Sequence, residues 1–189
     1  MKQEADNLGL IASKYFLAKG IEIYEMILVR HGLMVVGEAL SGKSSCLSVL
    51  QKGLQSMGQA VQQRIINPKA VTDAQLYGNL NPDTKVWTEG VIPQVMKECE
   101  EDWDKNELKW IMFDGPVDAQ WIENMNTVLD DNKVLCLTNG QKIKLSPKST
   151  MMFEVEDLFA ASPATVSRCG MILMEQDQVH WSILIQSLV

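Results

Sequence analysis

Short apolar runs, each bounded by glycine, proline or polar clusters, recur along the chain. "LMVV" (Leu33 to Val36) has Gly32 before it and Gly37 after it. A run that short and apolar at every position suits a strand buried on both faces of a parallel sheet. "QRIIN" (Gln63 to Asn67), "KWIMFD" (Lys109 to Asp114), "TMMFE" (Thr150 to Glu154) and "MILM" (Met171 to Met174) are further short strands. Helical periods separate them. Ile21, Tyr24, Leu28 and His31 recur about one turn apart and predict an amphipathic helix stopped by Gly32. Residues 42–57 predict a second helix, closed by Gly58. Pro93 suits the first turn of a third that runs to about Asp104. Asp118 can cap a fourth, with Trp121, Met125 and Val128 or Leu129 on one face. Ser162 caps a short helix through Pro163 to Arg168. Two hairpins complete the pattern. One lies in "NLNPDTKVWTEG" within the turn-rich residues 69–90, and Asn139-Gly140 joins the alternating halves of "VLCLTNGQKIKL". Strands alternating with helices predict an α/β fold: a five-stranded, mostly parallel sheet with helices on both faces and inserted β-hairpins.

Charge and composition narrow the function. The 189 residues suffice for one domain with a real core. The net charge of −7 leaves no basic stripe of the kind that phosphate backbones need, which argues against a nucleic-acid partner. Arg30 and His31 break the longest apolar run, so no segment suits a bilayer, and no signal peptide is expected. The four cysteines (Cys46, Cys99, Cys136, Cys169) form no C-x-x-C pair and read as reduced thiols. His31 and His180 stand alone and give no metal pattern. The acidic run "ECEEDWDKNE" (Glu98 to Glu107) reads as a solvated helix end, and Trp110, Trp121 and the methionines read as core.

One motif carries chemistry. Gly37, Glu38, Ala39, Leu40, Ser41, Gly42, Lys43 and Ser44 fit G-x-x-x-x-G-K-[ST] in full, between a strand and a helix. The glycines let backbone N–H groups turn toward phosphate oxygens, and the helix N-terminus, with Ser45 in its first turn, adds positive potential. Lys43 is expected to reach the β- and γ-phosphates of ATP or ADP, and Ser44 to ligate Mg²⁺. Asp114 ends a buried strand, where ligands of parallel sheets bind, and is the second expected Mg²⁺ residue. Hydrolysis also needs a group that activates water. That group normally follows the Mg²⁺ acid, and here Gly115 follows it. Asp118 reads as a helix cap rather than a substitute base. The expected site binds nucleotide and turns it over poorly.

These motifs, with "YEMILVRHGLMVVGEALSGKS", "INPKAVTDAQLYGNLNPDTKVWTEGV", "KWIMFDGPVDAQWIENMNTVLDDNKVLCLTNGQKIKL" and "MMFEVEDLFAASPATVSRCGMI", resemble the dynein heavy chain family over residues 21–175, in particular the second AAA+ module of its motor ring. "SPATVSRCG" is closer to the axonemal form. The resemblance implies a P-loop AAA+ large subdomain at residues 33–175, N-terminal lead-in helices at 1–32, and the truncated start of a lid at 176–189. It implies a structural, nucleotide-holding site, neighbouring AAA+ modules of the same heavy chain as partners, and a place in the cytoplasm and cytoskeleton, in the ciliary axoneme. Contact with microtubules would come only through parts of a motor absent from this chain: stalk, linker and tail. Arg168 matches the arginine finger that reaches into a neighbour's site. Glu154 stands where an active module usually has a polar sensor; there it repels a γ-phosphate unless turned away or paired, and the plain alternative is that it faces solvent. Residues 29–32 match a segment that often lies near adenine. Trp87 either packs locally or touches the next module. An independently active ATPase using Asp118 or Glu154 as base, and a spacer acting only through its surfaces, are the competing readings.

Overall fold

The computed structural model describes residues 1–101 and 106–178. The expected end of the third helix near Asp104, part of the acidic run, His180 and most of the lid segment lie outside the described residues.

The chain opens with α1 (Lys2–Asn7) and α2 (Lys14–Val29). Ser13 caps α2, its hydroxyl accepting from the Phe16 N–H at 3.1 Å. Strand β1 (Gly32–Val36) leads through the glycine-rich loop into α3 (Lys43–Ser56) and then β2 (Ala60–Ile66). Gly58, at φ +86°, turns the chain out of α3 so that the Gln59 N–H reaches back to the Leu54 carbonyl at 2.9 Å. Next come α4 (Asp73–Tyr77) and the hairpin β3 (Gly78–Leu80) with β4 (Trp87–Glu89), followed by α5 (Val91–Glu101) and β5 (Glu107–Asp114). Helices α6 (Ala119–Ile122) and α7 (Asn126–Leu129) are joined by a 3-10 turn. The hairpin β6 (Val134–Cys136) and β7 (Lys142–Lys144) precedes β8 (Ser149–Val155), α8 (Pro163–Val166) and β9 (Gly170–Leu173).

The central sheet has the order β2-β5-β8-β1-β9, and every neighbouring pair is parallel. All strands therefore end at one edge. Period-two alternation divides their side chains between two cores. Met34, Ile111, Phe113, Met151 and Phe153 meet α5, α6 and α7 on one face. Leu33, Val35, Trp110, Met112, Met152 and Ile172 meet α2 and α3 on the other. Phe113 and Phe153 stack across β5 and β8 with centroids 4.9 Å apart, and Trp121 extends the stack. Both hairpins are present. The second turns through three residues, with Leu137 N–H on the Gln141 carbonyl and Gly140 at φ +84°.

Three local readings change. Helix α2 begins seven residues before Ile21, and its buried positions are Gly20 and Ile23, with Phe16, Met26 and Ile27 packed beside them. Ile21, Tyr24 and Leu28 face outward. The helix is apolar almost all round, so periodicity alone could not choose its inner face. Within residues 69–90 the chain also forms α4, held by a reciprocal capping box between Thr72 and Gln75. The predicted fourth helix is broken into α6, a turn and α7, although all its expected core residues are buried. Trp87 packs locally: its ring lies over Gly78, where a Cβ would come within 2.4 Å of it. Cys46, Cys99 and Cys169 are buried free thiols and Cys136 is an exposed one. Burial pushes the Cys46 and Cys169 thiols up to about 12, which leaves them unreactive.

Candidate functional site

The edge where the strands end collects the predicted site residues. The loop from Gly37 to Ser44 leaves β1 there and enters the N-terminus of α3. Gly37 sits so close to β9 that a Cβ would lie 2.3 Å from the Met174 carbonyl oxygen, so only glycine fits. Gly42 takes φ +87°, which glycine adopts without steric cost. Leu40, at φ +65°, holds a left-handed backbone despite its side chain, which is exposed. Ser41 is fully buried under the loop. The Lys43 ammonium lies within the curl, donating to the Gly37 carbonyl at 2.6 Å and the Glu38 carbonyl at 2.8 Å. Ser44 and Ser45 occupy the first turn of α3, where backbone N–H groups lack helical partners.

Two carboxylates end strands at this sheet edge. Asp114 ends β5 and is exposed; Glu154 is paired with it in register on β8 and is partly buried. Glu154 does not simply face solvent. It turns inward, and its Oε1 accepts a short hydrogen bond from the Ser44 hydroxyl. Ser44 and Asp114 offer oxygen donors, the chemistry that Mg²⁺ prefers, and Glu154 holds the Ser44 hydroxyl. Together with the loop's backbone and Lys43, these residues fit a Mg-nucleotide.

Gly115 follows Asp114 at φ +155°, a backbone that residues with a side chain rarely adopt. Its N–H points toward the Glu154 carbonyl at 3.4 Å. Asp118 is engaged as a cap, its Oδ1 accepting from the Gln120 N–H at 2.9 Å. Arg168 lies at the end of α8. Its guanidinium pairs with Asp130 through Nε and donates from Nη1 to the Ala164 carbonyl at 2.6 Å. The structure thus ends the strand of Asp114 at the same sheet edge as the loop, with β8 between them, and leaves Arg168 in a pair within its own chain.

Residues 29–32, expected near adenine, lie at the other end of β1. They precede β1, whereas the phosphate loop follows it, so a whole strand at about 3.3 Å per residue separates them. Other residues flank the loop. A Cβ on Gly42 would lie 3.9 Å from the Phe16 ring, and the Tyr15 hydroxyl accepts from the Glu175 N–H at 2.9 Å. A hollow beside Gly37 and Glu38 is lined by Leu173, Met174, Glu175 and Asp177. The Ser13 cap at the start of α2 was the available sequence signal for the first of these walls. The Ser44 to Glu154 contact spans 110 residues and had none.

Comparison with known proteins agrees with this geometry. The family described as "AAA domain (dynein-related subfamily)" matches residues 32–169. The family described as "Hydrolytic ATP binding site of dynein motor region" matches residues 1–44. Dynein axonemal heavy chain 3 of Mus musculus is 51% identical over 177 residues, covering 90% of this chain and 4% of that protein. Dynein axonemal heavy chain 1 of Homo sapiens is 49% identical over 185 residues, covering 93% of this chain and 4% of that protein. Dynein axonemal heavy chain 12 of Mus musculus is 46% identical over 183 residues, covering 92% of this chain and 6% of that protein. The chain therefore spans only a small part of the curated relatives it matches. Among the described residues, no helix is long and apolar enough to cross a membrane. With its parallel sheet and complete phosphate loop, the chain belongs to the dynein-related subfamily of AAA domains and carries the ATP-binding site of a dynein heavy chain module.

Proposed function

We propose that this chain is the second AAA+ module of an axonemal dynein heavy chain, holding Mg-ATP or Mg-ADP with little hydrolysis and lending Arg168 to the neighbouring module. The observation that carries the reading is the contrast between a complete loop, Gly37 to Ser44, and the glycine at position 115. Lys43 meets the β- and γ-phosphates, while Ser44 and Asp114 hold the metal. Bound Mg²⁺ would offset phosphate charge. No side chain follows Asp114 to orient water. The base and ribose lie toward the start of α2 and the hollow at Leu173 to Asp177.

Arg168 suits the finger role chemically, because guanidinium is permanently charged and grips phosphate oxygens in a fork. In this chain it would have to leave Asp130, a half-exposed partner and therefore a weak one. The ring neighbours are other AAA+ modules of the same heavy chain. Leu28, Val29 and Met57 remain exposed and offer apolar surface for such packing. The relatives are named as axonemal, so a ciliary axoneme in the cytoskeleton is the proposed location.

One observation favours a second reading. Glu154 reaches into the site, so an independently active ATPase with Glu154 as base is the competitor. The test loads purified chain with Mg-ATP, waits, denatures it and separates ATP from ADP. ATP retained over hours supports a holding site. ADP formed in a Lys43-dependent way supports the ATPase and rejects our reading.

A further inference from the structure

Resting on the nucleotide-holding reading, we propose that Glu154 makes this site select metal-bound nucleotide over metal-free nucleotide. The inference starts from the bond between Ser44 and Glu154. An ionised carboxylate has acceptors and no donor. Ser44 must therefore be the donor in this contact, and its oxygen lone pairs are left for a cation. An amide at the same place could donate to Ser44 and occupy a lone pair instead. Glu154 thus orients a metal-binding hydroxyl from outside, as partners of metal ligands commonly do.

Charge gives the second part. Register on β5 and β8 sets Asp114 and Glu154 side by side at the sheet edge, strands about 4.8 Å apart. One ammonium, Lys43, lies in the loop on the Gly37 and Glu38 carbonyls, next in sequence to the Ser44 that Glu154 holds. Besides the attraction of Lys43 and the loop N–H groups, a polyphosphate arriving without a cation meets the repulsion of both carboxylates. Mg²⁺ held by Ser44 and Asp114 would bring two positive charges, and the extra carboxylate would then attract rather than repel. The discriminating residue is Glu154, because Asp114 belongs to the metal site whichever residue stands on β8.

The experiment measures ADP and ATP binding by calorimetry, with excess Mg²⁺ and separately with EDTA, for the wild-type chain and Glu154→Gln. Removing one unit charge a few ångströms from phosphate should narrow the Mg²⁺-to-EDTA affinity ratio about tenfold or more, chiefly through tighter metal-free binding. A ratio unchanged in Glu154→Gln overturns the proposal. So does a wild-type ratio near unity, a result that needs no variant at all. Melting curves establish that Glu154→Gln is folded, and Glu154→Ala asks the same charge question if it is not. Wild-type chain that binds neither form of nucleotide would instead reject the underlying reading of the loop. Chain that binds both forms equally would reject only the role of Glu154.

Discussion

The phosphate loop and the turn after β5 stand at the same sheet edge yet are built to different degrees of completeness. The loop has every part that nucleotide binding needs: a glycine pressed against Met174, a left-handed glycine before α3, and a lysine and a serine at the helix start. The turn after β5 supplies Asp114 and then only backbone. In the proposed reading, holding a nucleotide and cleaving it depend on residues that follow separate strands, β1 and β5. The difference also shows in how each part is held. Lys43 is anchored by two carbonyls of its own loop, whereas Asp118, the nearest acid beyond Gly115, is committed to capping α6.

The largest effect should come from the shared foundation of both regions. Phe153→Ala removes a fully buried ring from the stack with Phe113 and should cost about 3–5 kcal/mol of stability, read from urea unfolding. Loop and turn should fail together; nucleotide binding that survived such a loss would mean the loop stands on its own. Lys43→Ala separates them. It removes a charged donor worth about 1.5–3 kcal/mol, so nucleotide affinity should fall about 10- to 100-fold with the melting temperature of the unliganded chain nearly unchanged. Retained affinity would move the site elsewhere. Gly115→Glu attacks the comparison from the other side. It should destabilise the chain by about 1–3 kcal/mol because of its φ, and should leave ATP turnover at background. Brisk hydrolysis by that variant would show that only a side chain was missing. Asp118→Ala should cost about 1 kcal/mol by loss of the cap, again with no change in turnover.

The smallest effect concerns pH, at the opposite end of β1. The His31 ring donates from Nε2 to the Val128 carbonyl at 3.1 Å, and burial, helped by Lys133, lowers its pKa below the usual 6.5. A base whose pKa is lowered by folding binds protons more readily when unfolded. Its contribution is therefore intact above pH 6.5 and declines as pH falls toward its folded value. His31→Asn should lose less stability than wild type between pH 7.5 and 5.5, judged from urea midpoints. Equal losses would remove His31 from the account.

Much of this architecture was legible in the residues. The buried strands announced themselves because a parallel sheet covered on both faces must be apolar at every position. The loop was legible because its glycines, lysine and serine stand at fixed spacing within a few residues. Asp114 was legible from its place at a strand end. What escaped had physical reasons. The inner face of α2 escaped because Ile21, Tyr24, Leu28 and Val29 put apolar residues on its outer face too, Leu28 being 67% exposed despite its type. Helix α4 was signalled by Thr72 and Gln75, but its five residues left too little periodicity to notice. The pairing of Glu154 with Ser44, and of Arg168 with Asp130, joins residues distant in the chain, and only the register of the sheet and the packing of α7 on α8 bring them together.

The backbone at Gly115 bears on the history of the site. A glycine codon can become a glutamate codon by a single base change, so by coding distance alone a hydrolytic acid is close at hand. The conformation of the turn makes it remote. A glutamate placed there would first have to repay the strain of its own backbone, and no benefit could be selected until the turn had also been rebuilt. On the nucleotide-holding reading, the backbone of this turn, rather than the coding distance, is what keeps an acid out of position 115.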